Sequence, residues 1–484
     1  MKKQITLSVI VAVLAFFATS LNAQQSFNLN MDVVTVGKIN KTDILPGTHM
    51  TVKSIMCDVS SRRGFNYIMT AETPEGDKLS FDLSKVKEMP IVCENPTKDE
   101  FWYSRSIRYS LPSLSHMSNA YAARNKAEED ANKYVMNLRE QGLIIEDPML
   151  TSYINSLLTK ISPSQRLDNF KYNVKAVIVK SPELNAAMYP NGVLMINAGM
   201  LANLHTEDEL VALLCHEVNH FVCNHYLENL QKTQRRQAIG AIGGILLGAA
   251  TGILLGSPSL GLSAASMGVG IAGDLNAMYT ALGLAFDQTQ EIESDRAAVE
   301  LLPILGYDEN AMATCIKRIG DSYLEEGNLD AYYTSGNHQK IEDRIATTGT
   351  PYDRTDEVFE KKMATCISYL AQVSFAQGRY DVTINLAKRN INNGIARGLD
   401  FYMLGECLLA AYDTEDTNAA AAVALENALN SNCRERIPAM KALIIAYIRT
   451  GRIEEATTQL KQLKDTEGCS EDDLTWADNI MMTI

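Results

Sequence analysis

The stretch CHEVNHFVCNH, Cys215 to His225, lies within HTEDELVALLCHEVNHFVCNHYLENLQK, which reads as one long helix. Thr206, followed three residues later by Glu209, makes a capping box at its start. Each residue of such a helix turns about 100°, so His216 and His220 fall about 40° apart, one turn along the same face. Two imidazoles so placed can chelate one metal ion, and Glu217, beside His216, can reach a water on that ion. This H-E-x-x-H pattern, the zinc hydrolase signature, constrains the chain more than any other feature of it.

The same eleven residues hold three further metal-like side chains. His225 lies about 180° from His216 on a continuous helix and is expected to face away. Cys223 lies almost two turns beyond His216, too far along the axis, and Cys215 flanks the wrong side. Both cysteines read as small apolar core residues. A catalytic zinc usually takes three protein ligands and keeps one position open for water. The remaining histidines are His49, His116, His205 and His338. An acidic ligand from another helix is the alternative, and QTQEIESDRAAVELL offers Glu291 and Asp295 on one face. Glu291 can ligate, and Asp295 can accept from a histidine N–H. Glu293 points elsewhere by about 200°. Taken alone, E-x-x-x-D fits a solvated acidic helix face equally well.

The ends of the chain point to export and to a helical array. Lys2 and Lys3 precede a nearly unbroken apolar run, Ile5 to Ala18, and LNA ends at Ala23, so residues 1–23 read as a secretory signal peptide. The formal net charge of −14 argues against a nucleic-acid binder. Nine cysteines occur without a CxxC, and Cys57 and Cys93 are candidates to pair. Residues 24–110 read as a small β module, with HMTVKSIM, GFNYIMTAE and KLSFDLS as strands. Within 111–350, YNVKAVIVK and GVLMINAGML read as strands, joined by SPELNAAMYPNG as loop and turn. GVLMINAGML is a candidate for pairing with an extended substrate. Residues 237–273 carry no charge and have glycine at every fourth position from Gly240 to Gly256. They read as a lid or as a membrane-contacting segment. Residues 358–484 share a helix, Gly-Arg turn, helix register, with Gly378 and Gly451 standing 73 residues apart. That spacing suggests tetratricopeptide-like (TPR-like) repeats forming a partner-binding α-solenoid.

From about residue 140 to 350 the chain resembles the gluzincin family of CAAX prenyl endopeptidases and HtpX-like proteases. Within it, the chain is most similar to the exported, TPR-bearing, BepA-like periplasmic branch. The pieces that carry the resemblance are, in order, IIEDPMLTSYINSLLTKI, LNAAMYPNGVLMINAGML, EDELVALLCHEVNHFVCNH, EIESDRAAVELL and NHQKIEDRIA. The resemblance implies a mainly α, zincin-type metallopeptidase domain with a small β-sheet, holding one Zn²⁺ per chain. It implies His216, His220 and Glu291 as zinc ligands, Glu217 as general base and Asp295 as their support. It makes His338 and Arg344 candidates for a transition-state or regulatory role. The family's Pro-Gly-Gly is Pro190-Asn191-Gly192 here, its Ser-Arg before the third ligand is Asp287-Gln288, and its Pro after the late histidine is Gln339. The implied function is proteolysis of protein substrates in the envelope of a Gram-negative bacterium, as quality control. Residues 358–484 would dock substrates or assembly machinery, and 237–273 would serve as a lid over the enzyme or as a peripheral membrane contact. The alternative is a non-proteolytic chaperone or assembly scaffold, with the repeats as its working part.

Overall fold

The computed structural model describes residues 25–35, 44–58, 66–82, 91–93, 95–109, 119–164, 174–230, 232, 282, 284, 286–325, 340–431 and 433–484. The expected signal peptide 1–23, the uncharged run 237–273 and His338 lie outside the described residues. No helix among the described residues is long and apolar enough to cross a membrane.

The chain begins with an antiparallel sheet of β1 (Gln25–Thr35), β2 (His49–Asp58), β3 (Asn66–Glu72), β4 (Lys78–Asp82) and β5 (Ile91–Cys93), in the order β4-β3-β2-β1-β5. β2, β3 and β4 are the three expected strands, and β1 and β5 complete the sheet. The register separates Cys57 from Cys93. Cys57 lies opposite Gln25 and Cys93 opposite Val33, on the two sides of β1. Eight strand positions put them about 25 Å apart along the sheet, beyond disulfide reach. Helix α1 (Lys98–Tyr109) falls in the stretch read as the β module, yet it belongs to the next layer. Phe101 and Trp102 are buried in the main core, and the Trp102 indole N–H donates to the Ile161 carbonyl at 2.7 Å.

Helices α2 (Asn119–Glu140) and α3 (Pro148–Ile161) lead into the second sheet. Asp147 caps α3 by accepting from the backbone N–H groups of Met149 and Leu150, and Pro148 takes the first helical position, where no N–H is needed. The sheet holds β6 (Lys175–Val179), β7 (Ala186–Met188) and β8 (Val193–Asn197), in the order β6-β8-β7. β8 runs parallel to β6 and antiparallel to β7. This corrects the expectation for GVLMINAGML. Its strand is central, paired on both sides, and cannot accept a substrate strand. β7 forms the edge on the side of the H-E-x-x-H helix, hidden in sequence inside a stretch that reads as loop, and β6 forms the other. The Tyr189–Gly192 turn joins β7 to β8, and Gly192 adopts φ 78, a left-handed conformation that glycine takes at little cost. Asn197 N–H donates to Asn185 O and Tyr189 N–H to Val193 O. By alternation, Ala186 and Met188 then turn their backbone polar groups away from β8.

β8 runs directly into α4 (Ala198–Asn203). A Cβ on Gly199 would lie 2.0 Å from the Pro182 carbonyl oxygen, so only glycine lets this turn close. Helix α5 (Glu207–Val222) carries the H-E-x-x-H motif, and every residue from Glu209 to Val222 is buried. Its Thr206 cap accepts from Glu209 N–H, while the Glu209 carboxylate takes the His205 N–H rather than closing the expected box on Thr206. α5 stops earlier than its sequence pattern suggests. Cys223 is its C-cap, Asn224 sits at φ 54, and helix resumes only over 225–230. Asparagine is one of the few residues that tolerate this left-handed conformation.

Helix α6 (Gln288–Leu305) opens with a capping box between Asp287 and Gln290 and buries Glu291, Ser294, Asp295 and Ala298. Their i, i+3, i+4, i+7 spacing forms the face laid on α5, and Asn219 Nδ2 donates to Ser294 Oγ at 3.0 Å across the contact. α7 (Ala311–Glu325) and α8 (Ile341–Thr348) pack on this pair. The chain ends in α9 (Glu357–Ala376), α10 (Tyr380–Asn392), α11 (Gly398–Ala411), α12 (Glu415–Asn430), α13 (Arg436–Arg449), α14 (Ile453–Lys464) and α15 (Glu471–Met481), each packed on the one before it. Arg389 of α10 fastens this array to α4. It donates to the Ala202 carbonyl at 2.7 Å, satisfying a helix-end acceptor, and to both oxygens of Glu360.

Candidate metal centre

α5 and α6 bring three donor side chains from distant parts of the chain to one point. His216 Nε2 and His220 Nε2 lie 3.0 Å apart. Glu291 Oε2 is 3.8 Å from His216 Nε2, and Glu291 Oε1 is 3.4 Å from His220 Nε2. All three residues are at least nine-tenths buried. Donors about 2.0–2.1 Å from a tetrahedral zinc would stand about 3.4 Å from one another, so this triangle has the right size for one such ion. Two imidazoles and a carboxylate are also a donor set that zinc accepts. Glu217 completes the cluster. Met188 on β7 donates its backbone N–H to the Glu217 carboxylate, whose Oε2 is buried with no hydrogen-bond partner among the described residues.

The outer nitrogens of the two histidines are held differently. His216 Nδ1 lies 2.9 Å from Asp295 Oδ1. Arg344 on α8 clamps the same carboxylate, Nε to Oδ2 at 2.8 Å and Nη2 to Oδ1 at 2.7 Å, and reaches Glu291 at 3.7 Å. Burial alone would raise the Asp295 pKa, but Arg344 and His216 outweigh it and hold the group below the usual carboxylate range. Asp295 thus pairs with both His216 and Arg344, and Arg344 reaches the cluster chiefly through Asp295.

His220 Nδ1 faces His225 Nδ1 at 2.8 Å. This corrects the expectation that His225 points away. A continuous helix would turn it outward, whereas the break at Cys223 and Asn224 swings it back over His220. Glu293 is corrected with it. Its Oε2 stands 3.5 Å from His225 Nε2, so the carboxylate read as pointing elsewhere belongs to the same chain of contacts. Phe286 was not anticipated, and its ring stacks on His220 with centroids 3.7 Å apart. Cys215 and Cys223 are buried, as expected of core residues.

Burial sets the protonation of the metal-free cluster. It pushes Glu217 up to about 8, reinforced by the Glu291 charge and opposed by His216, the Met188 N–H and Arg344. It pushes His220 down to about 3, helped by His216 and His225. Burial also disfavours the charged form of His216, but Asp295, Glu291 and Glu217 together raise it.

Residues 148–357 match the model of peptidase family M48. This region of the chain is similar to peptidase family M48. The matched region runs from the first residue of α3 to the first residue of α9 and contains every element of the centre. The β-barrel assembly-enhancing protease of Escherichia coli is 27% identical over 219 residues, 44% of this chain and 41% of that protein. The mitochondrial metalloendopeptidase OMA1 of Schizosaccharomyces pombe is 25% identical over 219 residues, 45% of this chain and 57% of that one. The metalloprotease LoiP of Escherichia coli is 25% identical over 188 residues, 37% and 64% of the two chains. The chain thus spans about two fifths of the length of the β-barrel assembly-enhancing proteases it matches.

The raised Glu217 makes the metal-free protein sensitive to alkali. A carboxyl whose folded pKa lies above its usual 4.5 contributes stability fully present below 4.5 and lost as pH climbs through about 8. Metal-free protein should therefore lose stability over that window, by up to about 1.4 kcal/mol per pH unit from this group. Glu217→Gln should flatten the dependence. Equal slopes for the two proteins in denaturant titrations at several pH values would contradict it.

Proposed function

We propose that the protein is a zinc-dependent endopeptidase, holding one zinc ion per chain on His216, His220 and Glu291, with Glu217 as general base. The observation that carries this reading is the convergence of three buried donors at tetrahedral spacing beside the unpartnered Glu217 oxygen. A bound zinc supplies an acidified water and a Lewis acid for the scissile carbonyl. Glu217 takes the proton of the attacking water and returns it to the departing amine. Its high pKa without metal marks a site that favours cation binding beside it, since a cation restores the carboxylate form. Asp295 orients His216, and Arg344 holds Asp295 in its charged form.

Substrate binds in extended form along the outer edge of β7, where Ala186 presents its N–H and carbonyl and Met188, its N–H held by Glu217, presents its carbonyl. Such pairing reads main chain, so side-chain preference is broad. The protein is exported, and its substrates are envelope proteins, a reading supported by the apolar N-terminal segment and by the E. coli relative's printed name. The helices from α9 onward form a TPR-like array that docks substrates or assembly factors, anchored to the M48-like region by Arg389.

Metal removal tests the reading. Dialysis of the full-length protein against a strong chelator should abolish cleavage of an unfolded protein such as casein, and one equivalent of zinc should restore it. Undiminished cleavage by protein shown by elemental analysis to be metal-free would refute it.

A further inference from the structure

We infer that His225 is a positioning residue for the metal centre: it accepts the Nδ1 proton of His220 and so fixes which nitrogen His220 offers to the metal. The inference rests on the reading of His216, His220 and Glu291 as the metal-binding set. It comes from counting protons. A neutral imidazole has one N–H and one lone pair. If His220 gives its Nε2 lone pair to a metal, its proton sits on Nδ1. That nitrogen faces His225 Nδ1 at 2.8 Å, so His225 Nδ1 must be the acceptor. The proton of His225 then sits on Nε2, the nitrogen that faces Glu293 Oε2 at 3.5 Å, an ion-pair distance rather than a hydrogen bond. The proton between the two rings has its acceptor, and no extra charge is needed in a fully buried pair.

The backbone is shaped for this contact. The C-cap at Cys223 and the left-handed Asn224 turn the chain so that a residue five positions beyond His220 meets it side on. The two rings cross at 75° with centroids 5.0 Å apart, which aims one ring nitrogen at the other, and Phe286 packs against both rings. A ligand histidine usually donates its second N–H to a carboxylate, a carbonyl or water. His216 follows that pattern through Asp295, whereas His220 uses a second histidine, with Glu293 behind it.

The same assignment resolves a competing possibility. Cys223, His225 and Glu293 also present ligand atoms within 4.8 Å of one another. A metal there would need the lone pair of His225 Nε2. His225 Nδ1 would then carry the proton and donate it to His220 Nδ1, leaving His220 Nε2 protonated and unable to ligate. The two metal sets therefore exclude one another while both imidazoles stay neutral, and the buried triangle of His216, His220 and Glu291 is the better formed.

The test compares His225→Phe, which keeps the ring but has no acceptor, with His225→Asn, which loses the ring but places an oxygen near the Nδ1 position. Zinc affinity is measured by chelator competition on the full-length protein. His225→Phe should bind zinc about 10–100-fold more weakly than wild type, the usual cost of losing an outer partner of a ligand, while His225→Asn keeps most of the affinity. The reverse order would mean that His225 only fills space and would overturn the inference. Histidine-selective ¹⁵N NMR of zinc-loaded wild type needs no variant. It should show His220 protonated on Nδ1 and His225 on Nε2, and a His225 protonated on Nδ1 would overturn the inference. Cys223→Ala should leave zinc content unchanged. Loss of a bound metal in that variant, or a thiolate charge-transfer band in cobalt-loaded wild type, would place a metal on the competing set and overturn it as well. Wild-type protein that binds no zinc would instead defeat the underlying metal reading.

Discussion

Glu217→Gln should purify with the same zinc content as wild type and cleave casein about 10²–10⁴-fold more slowly, the range a positioned general base contributes. The substitution is nearly isosteric, and the amide can still accept from the Met188 N–H. What disappears is the group that takes a proton. The variant should also be no less stable than wild type when metal-free, because a carboxyl pushed up to about 8 by burial is a cost that glutamine does not carry. Zinc lost together with activity would make Glu217 a ligand rather than a base. Activity within about tenfold of wild type would remove it from the mechanism.

The second large effect is expected at Glu291. Glu291→Ala should lower zinc affinity by more than the 10–100-fold typical of an outer-shell change, because it removes a donor from the triangle itself. It also deprives His220 of a carboxylate 3.4 Å away and Arg344 of one at 3.7 Å, while Asp295 still pairs with the guanidinium. The fold should therefore survive, with far-ultraviolet circular dichroism unchanged, and elemental analysis should report little metal. A full zinc equivalent in this variant would assign the third donor elsewhere, with Glu293 as the next carboxylate on the helix.

What could be read from the sequence was whatever depends on local helical geometry. His216 with His220, and Glu291 with Asp295, are i, i+4 pairs whose shared faces follow from 3.6 residues per turn, and the structure brings both pairs to one place. The readings of His225 and Glu293 failed because the same geometry was extended past a helix end. The signal was present: Asn224, a residue at ease in the left-handed region, follows a cysteine in C-cap position. β7 was hidden because three residues, Ala-Ala-Met, are too few to show alternation, and its existence depends on pairing with β8. With β7 invisible, the sequence points to β8 as the substrate-facing strand. Phe286 and the Arg344 clamp on Asp295 are contacts between segments far apart in the chain, which no periodicity encodes.

Anomalous diffraction at the zinc absorption edge, on crystals of the full-length protein grown with one equivalent of zinc, tests the central claim most directly. The account predicts a single peak coordinated by His216 Nε2, His220 Nε2 and the Glu291 carboxylate, with the Glu217 carboxylate next to the ion but not bonded to it. A peak at Cys223, His225 and Glu293, or no peak between α5 and α6, would contradict it.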